Sequence, residues 1–237
     1  MSAAANLQRA AGLVIVVLVE RCVGRMKVLI TGGAGNIGSR LAASLIRRGD
    51  QVVVLDVNSE PLYPTPEFAK ADVCSGGVDD RELVMATVAE VRPDSIFHLA
   101  AILSGGAEKD PDRTWRVNLE GTRNVLEAAV AAGVNRVVFT STIATYGAGV
   151  PEPVNENTPQ WPSGLYGATK VAGERLGVYY HLRHGLDFRG GLFFFWETET
   201  IPNQHQKATI DYHYHGINPG FSNSKKNLKR TMWMLFY

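Results

Sequence analysis

The sequence predicts an α/β domain built around a doubly wound parallel sheet, and three observations support this fold class. Short apolar runs alternate with segments of helical periodicity from residue 27 onward. A glycine-rich turn follows the first apolar run, and the helical segments are long enough to cross back over a sheet. Such alternation is typical of βαβ units with right-handed crossovers. Ligands of such folds lie beyond the carboxyl ends of the strands.

The predicted elements follow one another closely along the chain. The strands are the apolar runs Lys27–Thr31, Gln51–Asp56, 95–99 and Arg136–Ser141, and a fifth strand opens at 186–189. The helices are Asn36–Arg48, 79–91, 111–132 and Leu165–His184. Gly49 and Gly133 follow two of these helices, at the position where a left-handed residue commonly ends a helix. After residue 190 no sustained period of 2 or 3.6 is visible, so no element is predicted there.

Composition excludes several classes of protein. The 237 residues suffice for one large domain, or for one domain with a small appendage. The formal net charge of +1 gives no electrostatic reason to expect a nucleic acid or a membrane as partner. Cys22 and Cys74 belong to no Cys-x-x-Cys or Cys/His cluster, so neither a disulfide framework nor a metal site is predicted. A reducing, cytoplasmic setting is expected.

Residues 1–25 form an N-terminal extension whose origin the sequence leaves open. The apolar run 12–19 is too short to span a bilayer. The favoured interpretation is that translation starts at Met26, directly before the first strand. An accessory helix and a targeting segment are the alternatives.

A dinucleotide-binding loop is predicted between the first strand and the first helix. Residues 33–38 read Gly-Ala-Gly-Asn-Ile-Gly, which is Gly-x-Gly-x-x-Gly. The turn is tight, the backbone must approach a pyrophosphate closely, and the helix N-terminus offers free N–H groups. The strand–loop–helix context makes the motif specific. The fold is therefore predicted to be Rossmann-type, with cofactor contacts from Gly32, Gly35, Asn36, Ile37 and Gly38.

NAD is the predicted cofactor because Asp56 ends the second strand, 18 residues beyond Gly38. A carboxylate there accepts from the ribose 2′-hydroxyl and repels the 2′-phosphate of NADP. A solvated turn aspartate is the alternative. Further cofactor contacts are predicted from Asp72 and Val73, near the adenine, and from the small residues that end the third predicted strand, which are Leu99, Ala100 and Ala101.

A catalytic pair is predicted on the last helix. Tyr166 and Lys170 are four residues apart and therefore share one face. An ammonium group favours the phenolate of a neighbouring tyrosine, which can then accept a proton from a substrate hydroxyl. Lys170 is also expected to hold the nicotinamide ribose. Thr142, after the fourth predicted strand, is positioned to orient the reacting oxygen, with a strand-capping hydroxyl as the alternative.

The chain resembles the extended short-chain dehydrogenases/reductases, also called the NAD-dependent epimerase/dehydratase family. The resemblance covers residues 27–189 and lies in residues 31–38, 98–101, 117–122 and 138–142, together with the Tyr166/Lys170 pair. It implies an enzyme with a catalytic triad of Thr142, Tyr166 and Lys170. It also implies that Asn118 supports the helix near the cofactor.

Within the family, the chain resembles L-threonine 3-dehydrogenases of the short-chain type. The similarity lies in residues 103–106, 141–144 and 166–174. It implies oxidation of L-threonine or a related hydroxy acid, with substrate contacts from Ser104, Ser141 and Thr142. D-erythronate-type dehydrogenases share the loop 100–106. A nucleotide-sugar 4-epimerase or dehydratase and a catalytically silent NAD-binding module are the alternatives.

The resemblance fails after Arg189, where members of the family continue into a substrate-covering region. Residues 26–189 are therefore interpreted as the NAD-binding domain, and 190–237 as an atypical tail. Our hypothesis is a truncated or frameshifted substrate region, and a genuine divergent tail is the alternative. The resemblance further implies a homodimer through helices 111–132 and 165–184, acting on a small-molecule substrate. Their apolar residues could equally face the sheet of the same chain.

Overall fold

The computed structural model describes residues 25–148, 154 and 157–193, and the backbone of 234–236. The segment 1–24, most of the tail, its aromatic cluster from Phe194 onward and the run 209–212 lie outside the described residues.

The described residues form a single sheet with the order β3-β2-β1-β4-β5-β6-β7. Its strands are β1 (Lys27–Thr31), β2 (Gln51–Asp56), β3 (Asp72–Ser75), β4 (Ser95–His98), β5 (Arg136–Ser141), β6 (Asp187–Phe193) and β7 (Met234–Phe236). The first six are parallel, and β7 pairs antiparallel with β6. The chain moves outward from β1 to β3 and returns to β4 on the other side, so the sheet is doubly wound. The predicted fold class is confirmed.

Six α-helices connect these strands in the described residues. They are α1 (Asn36–Arg48), α2 (Arg81–Val91), α3 (Ser104–Ala107), α4 (Pro111–Thr114), α5 (Gly121–Ala132) and α6 (Leu165–His184). Left-handed glycines end α1, α5 and α6, at Gly49, Gly133 and Gly185. Short 3₁₀ turns lie at Phe68–Lys70 and Ile143–Thr145.

The predicted helix 111–132 is continuous in space but not uniform. Its middle, Trp115–Glu120, is a π-helix, and the N–H of Gly121 donates to the carbonyl of Arg116 five residues earlier. A π segment inside a helix is frequent at functional sites. The widened turn contains Asn118, which contacts the loop after β4.

Apolar side chains fill both faces of the sheet. On one face, Val28, Ile30 and Val54 pack against Leu41 and Leu45 of α1. On the other face, Leu29, Leu55, Ile96 and Val137 pack against the helices that cover it, through Val84, Val88, Val125, Leu126, Ala129 and Tyr180. Because helices cover both faces, the central strands are apolar along their whole length, as parallel strands are.

Three element bounds differ from the sequence-based expectation. An additional edge strand, β3, precedes the strand predicted as the third, and its short, mostly exposed sequence gave no apolar signal. Helix α2 begins at Arg81 instead of residue 79, because the Asp80 carboxylate caps it by accepting from the N–H of Leu83 (3.0 Å). Strand β6 runs on to Phe193, where β5 supplies partners as far as the Ser141–Leu192 pair.

No helix in the part of the chain that the structure describes is long and apolar enough to cross a membrane.

Candidate active site

The glycine turn after β1 packs directly against the chain that leaves β4. Gly32 has a positive φ of 70°, and a Cβ atom there would lie 2.6 Å from the backbone nitrogen of Ala100. A Cβ atom on Gly38 would overlap the carbonyl oxygen of Gly32. Only glycine allows this close approach of backbone to backbone. The structure thereby brings the predicted residues of the 32–38 loop and of 99–101 together at the carboxyl edge of the sheet.

Asp56 fixes this loop from the second strand. Its buried carboxylate accepts from the N–H of Ala34 (2.9 Å) through Oδ2 and from the N–H of Asn58 (2.9 Å) through Oδ1. The residue is therefore not a solvated turn aspartate. Its side chain lies beside the glycine turn, where an adenosine ribose would meet the end of β2.

Asp72 and Val73 begin the edge strand β3. They pair with Val53 and Val54, whereas Ser75 pairs with Asp56 at the edge of the sheet. Val73 lines a depression together with Ser59, Glu60 and Pro61, which follow the end of β2. The contact of Asp72 and Val73 with the adenine stays a prediction.

Asn118 connects the loop after β4 with α6. Its Oδ1 atom accepts from the N–H of Ile102 (2.7 Å), and its Nδ2 atom donates to the Ile102 carbonyl (3.0 Å) and to the Thr169 hydroxyl (3.2 Å). The side chain is buried and all these bonds are internal. Asn118 therefore links the loop after β4 to α6, which agrees with a supporting role near the cofactor.

His98 is a buried, neutral side chain that connects β1 with the first turn of α5. The Thr122 hydroxyl donates to the Asn118 carbonyl (2.6 Å), so it accepts from the Nε2–H of His98 (3.0 Å). The Nδ1 atom then accepts from the Thr31 hydroxyl (2.7 Å). Burial lowers the pKa of His98 to about 3, with a smaller contribution from the Lys170 charge. This supports a structural histidine.

Tyr166 and Thr142 meet at the end of β5. The Thr142 hydroxyl accepts from the N–H of Ala144 (3.2 Å) at the following 3₁₀ turn and lies close to the Tyr166 hydroxyl. Burial raises the pKa of Tyr166, and the nearby Thr142 hydroxyl opposes that rise. The Ala144 contact agrees with the strand-cap interpretation of Thr142, and its orienting role stays a prediction.

Lys170 points at the strand. Only 2% of the residue is exposed, its Nζ atom donates to the Thr140 carbonyl (2.9 Å), and it lies 4.6 Å from the centre of the Phe139 ring. The distance from Nζ to the centre of the Tyr166 ring is 5.8 Å. Burial lowers the pKa of Lys170 to about 7, and the charge of Glu174 opposes this shift. Lysine and tyrosine are therefore adjacent, as the i, i+4 spacing predicts.

Ser141 faces away from Thr142. Its buried hydroxyl makes a short hydrogen bond with Oε1 of Glu174, and Oε2 of the same carboxylate accepts from Nε2 of Gln160 (2.7 Å). The structure therefore gives the predicted substrate contact Ser141 an internal partner. Sequence reasoning missed Glu174, although its position four residues after Lys170 placed it on the same helix face.

Ser104 lies exposed at the start of the short helix α3. The helix is tied to the catalytic helix because the carboxylate of Glu108 accepts from the N–H of Leu165 (2.8 Å). Ser104 thus lies on a segment anchored to the first turn of α6. Among the described residues no group of three or more His, Cys, Asp or Glu side chains is arranged to hold a metal ion.

A doubly wound sheet, a glycine turn after its first strand and a Tyr–Lys pair facing β5 together define a Rossmann-type domain of the short-chain dehydrogenase/reductase class. A profile of the NAD dependent epimerase/dehydratase family matches residues 28–217. The chain belongs to this family, and the predicted recognition is confirmed.

Similar proteins include both dehydrogenases and epimerases. D-erythronate dehydrogenase from Cupriavidus necator is 36% identical over 176 residues, which cover 69% of this chain and 53% of that protein. The holo form of a GalE-like L-threonine dehydrogenase from Cupriavidus necator has a TM-score of 0.64 at 33% identity, covering 69% of this chain and 53% of that one. A UDP-glucose 4-epimerase from Brucella ovis in complex with NAD has a TM-score of 0.62 at 32% identity, covering 68% and 49%. The chain spans about half the length of the curated relatives it matches.

Proposed function

We propose that this chain is an NAD-dependent oxidoreductase that oxidises a secondary alcohol of a small substrate, with Tyr166 as the general base. The observation that supports this best is the Tyr166–Thr142 hydroxyl pair beside the buried Lys170, at the sheet edge that also holds the glycine turn. A substrate hydroxyl placed at this pair would meet a proton acceptor and an orienting hydroxyl at once. The proposal agrees with the family to which the chain belongs.

The residues at the sheet edge fit NAD. The backbone at Gly32 and Gly38 packs against Ala100 and against the turn itself more closely than a Cβ atom would allow, which is the tight turn that a pyrophosphate-binding loop requires. The Oδ1 atom of Asn36, at the start of α1, is buried and has no hydrogen-bond partner among the described residues. Asp56 is placed for the adenosine ribose, and a 2′-phosphate there would meet a carboxylate already held by two N–H groups. Bound NAD would supply the hydride acceptor.

The remaining predicted cofactor contacts divide into two groups. Ile37 and 99–101 line the same edge as the glycine turn, and Lys170 lies near enough to Tyr166 to hold a ribose hydroxyl as well. Asp72 and Val73 are proposed to contact the adenine, and Val73 lines the same depression as Ser59 and Glu60, which follow the end of β2.

Proton transfer is assigned to the chain's own groups. Tyr166 accepts the hydroxyl proton of the substrate, Thr142 holds the reacting oxygen by a hydrogen bond, and the Lys170 ammonium stabilises the phenolate. Burial raises the pKa of Tyr166 and lowers that of Lys170 to about 7, so the site disfavours both charged groups of the pair. Oxidation is therefore expected to fall at low pH, where Tyr166 keeps its proton, and at high pH, where Lys170 loses its proton.

L-threonine or a related hydroxy acid is the proposed substrate. Similarity to L-threonine and D-erythronate dehydrogenases favours this class. Ser104 is proposed to contact the substrate from α3. A contact from Ser141 would require its hydroxyl to leave Glu174. We further propose that residues 26–189 form the cofactor domain and that 190–237 are an atypical tail, a truncated or frameshifted substrate region. A family-like continuation in another reading frame of the gene would support a frameshift there.

A nucleotide-sugar 4-epimerase is the second candidate, because the NAD complex of a UDP-glucose 4-epimerase is about as similar in structure. It uses the same proton-transfer groups but predicts no net accumulation of NADH. A silent NAD-binding module predicts binding of NAD and no turnover.

The homodimer and the cytoplasmic location are also proposals. Val125, Leu126 and Ala129 of α5 are buried in the chain's own core, so they do not supply a dimer surface. The candidates for such a surface are the exposed Trp115, Tyr179 and Leu182.

The test is NADH absorbance on mixing the full chain with NAD and L-threonine, with D-erythronate and a UDP-sugar as parallel substrates. Threonine-dependent or erythronate-dependent NADH would support the dehydrogenase. Sugar epimerisation without NADH would favour the second candidate. If NAD binds but no substrate turns over, the oxidoreductase proposal fails for this chain.

A further inference from the structure

The catalytic helix contacts each of the last three residues around the end of β5 through a different side chain. Lys170 donates to the Thr140 carbonyl, Glu174 binds the Ser141 hydroxyl, and the Tyr166 hydroxyl lies close to that of Thr142. The three helix residues are spaced by four and therefore form one ridge along α6. Tyr166 and Lys170 already have roles in the proposed reaction, whereas Glu174 has none.

Glu174 is a buried acid with several polar partners. Its side chain is 5% exposed, and each of its oxygens has a neutral partner, Ser141 or Gln160. The amide of Gln160 can only donate to it, so Oε2 is unprotonated at that contact. Arg175 lies 3.9 Å from Oε2 but is largely exposed and donates to the Oε1 atom of Gln160 (2.7 Å).

We propose that Glu174 is a positioning residue of the active site, a buried carboxylate that joins β5 and the segment before α6 to the catalytic helix and keeps Lys170 in its ammonium form. The inference rests on the proposed function, because it assigns Glu174 a part in the same site. Without this negative charge, Lys170 would have only a carbonyl and an aromatic face as partners for a buried positive charge.

The groups that surround Lys170 and Glu174 indicate how the charge of Glu174 acts on Lys170. From α6 they are Tyr166, which is neutral at rest, and Arg175, which is exposed. From β4 the imidazole of His98 stays neutral, and β5 presents hydroxyls, carbonyls and the uncharged Phe139 ring. Glu174 is thus the one anion among the described residues that acts on Lys170. Burial raises the pKa of Glu174, and Ser141, Gln160, Arg175 and Lys170 oppose that rise.

The experiment measures the titration of Lys170 directly. The full chain is labelled at lysine Cε and Nζ, the Lys170 signal is assigned with Lys170→Met, and its midpoint is followed by NMR. Glu174→Gln keeps the shape of the side chain and removes its charge, so the Lys170 midpoint should fall by about one pH unit. Glu174→Asp keeps the charge and shortens the reach, so the midpoint should stay close to that of the unmodified chain.

Glu127→Gln on α5 is the matched control, because it removes one negative charge from the surface and should leave the Lys170 midpoint unchanged. An unchanged midpoint in Glu174→Gln would overturn the proposal, since the carboxyl would then be uncharged or uncoupled. Equal shifts in Glu174→Gln and Glu174→Asp would overturn it as well, because geometry and not charge would be responsible.

Turnover supplies the second readout. In an active enzyme, Glu174→Gln should lower kcat about tenfold for each pH unit lost by Lys170 and leave the KM for the alcohol nearly unchanged. The titration needs no turnover, so a chain that oxidises no substrate can still support or overturn the role of Glu174. Failure of the proposed function and failure of this inference are therefore distinguishable.

Discussion

The Nζ atom of Lys170 lies 2.9 Å from the carbonyl oxygen of Thr140, to which it donates, and the whole side chain is buried between α6 and β5. The contact places the ammonium group where the proposed chemistry needs it. It also places a charged group in surroundings that favour the neutral amine, which is why the pKa of Lys170 is lowered to about 7. The catalytic position of this lysine is thus unfavourable for stability.

Replacing Lys170 with Met should stabilise the fold and abolish turnover. The pKa of Lys170 in the folded chain lies below its value in the unfolded chain, so the unfolded chain binds more protons between about pH 7 and 10. The free-energy cost of burying the ammonium group is therefore greatest below pH 7. Lys170→Met removes it and should gain about 1–2 kcal/mol at pH 6, less the lost hydrogen bond. The gain should shrink as the pH rises toward 10. Urea unfolding at pH 6 and pH 9 measures both values, and a Lys170→Met protein less stable than the original at pH 6 would contradict the argument.

Tyr166→Phe should remove turnover and preserve NAD binding. The substitution deletes the proton acceptor near Thr142 but keeps the ring beside Lys170. Loss of a general base costs a factor of about 10² to 10⁴ in kcat. Stopped-flow NADH absorbance measures turnover, and isothermal calorimetry measures NAD binding. Turnover in Tyr166→Phe comparable to that of the unmodified protein would exclude Tyr166 as the base. For the neighbouring hydroxyl, Thr142→Val removes it and Thr142→Ser, which keeps it, is the matched control.

Asp56→Ala should weaken the preference for NAD over NADP. The carboxylate that would repel a 2′-phosphate disappears, and the N–H groups of Ala34 and Asn58 lose their acceptor. Asp56→Asn retains one acceptor oxygen and therefore separates loss of charge from loss of the loop contacts. The ratio of the Kd values for NADP and NAD, measured for all three proteins, should fall by at least about tenfold in both variants if charge sets the selectivity. An unchanged ratio in both would assign selectivity to other residues.

Where the sequence predicted the fold well, the determinants are local. The bounds of α1 and α6 follow from a helical apolar face and from the terminal glycines Gly49 and Gly185. The strands next to β1 were visible because they are apolar along their whole length. The edge strand β3 was missed because an exposed strand has no such signal, and the π segment was read as ordinary helix because its pattern of side chains is the same.

The candidate site likewise has features that local sequence predicts and features that depend on the tertiary structure. The glycine turn and the Tyr166/Lys170 pair depend on short spacings that a sequence displays. No short spacing reveals the partner of Ser141, because Glu174 is 33 residues away in the sequence. Whether the Ser141 side chain faces the substrate or α6 depends on the side of β5 on which it lies.

His98 should make the fold sensitive to acid. The imidazole is buried, accepts from Thr31 and donates to Thr122, so a second ring proton would force the Thr31 hydroxyl to change from donor to acceptor and would place a charge near Lys170. The folded-state pKa, about 3, lies below the unfolded value of about 6.5. The unfolded chain therefore gains the proton first, and this contribution to stability is complete above pH 6.5 and decreases as the pH falls toward 3, by about 1.4 kcal/mol per pH unit. Urea unfolding at pH 7 and pH 5 should show a difference of about 2 kcal/mol from this group. His98→Gln cannot titrate and keeps a donor for Thr122, so it should be less stable at pH 7 but lose less stability on acidification. An equal loss in both proteins would show that groups other than His98 determine the acid sensitivity.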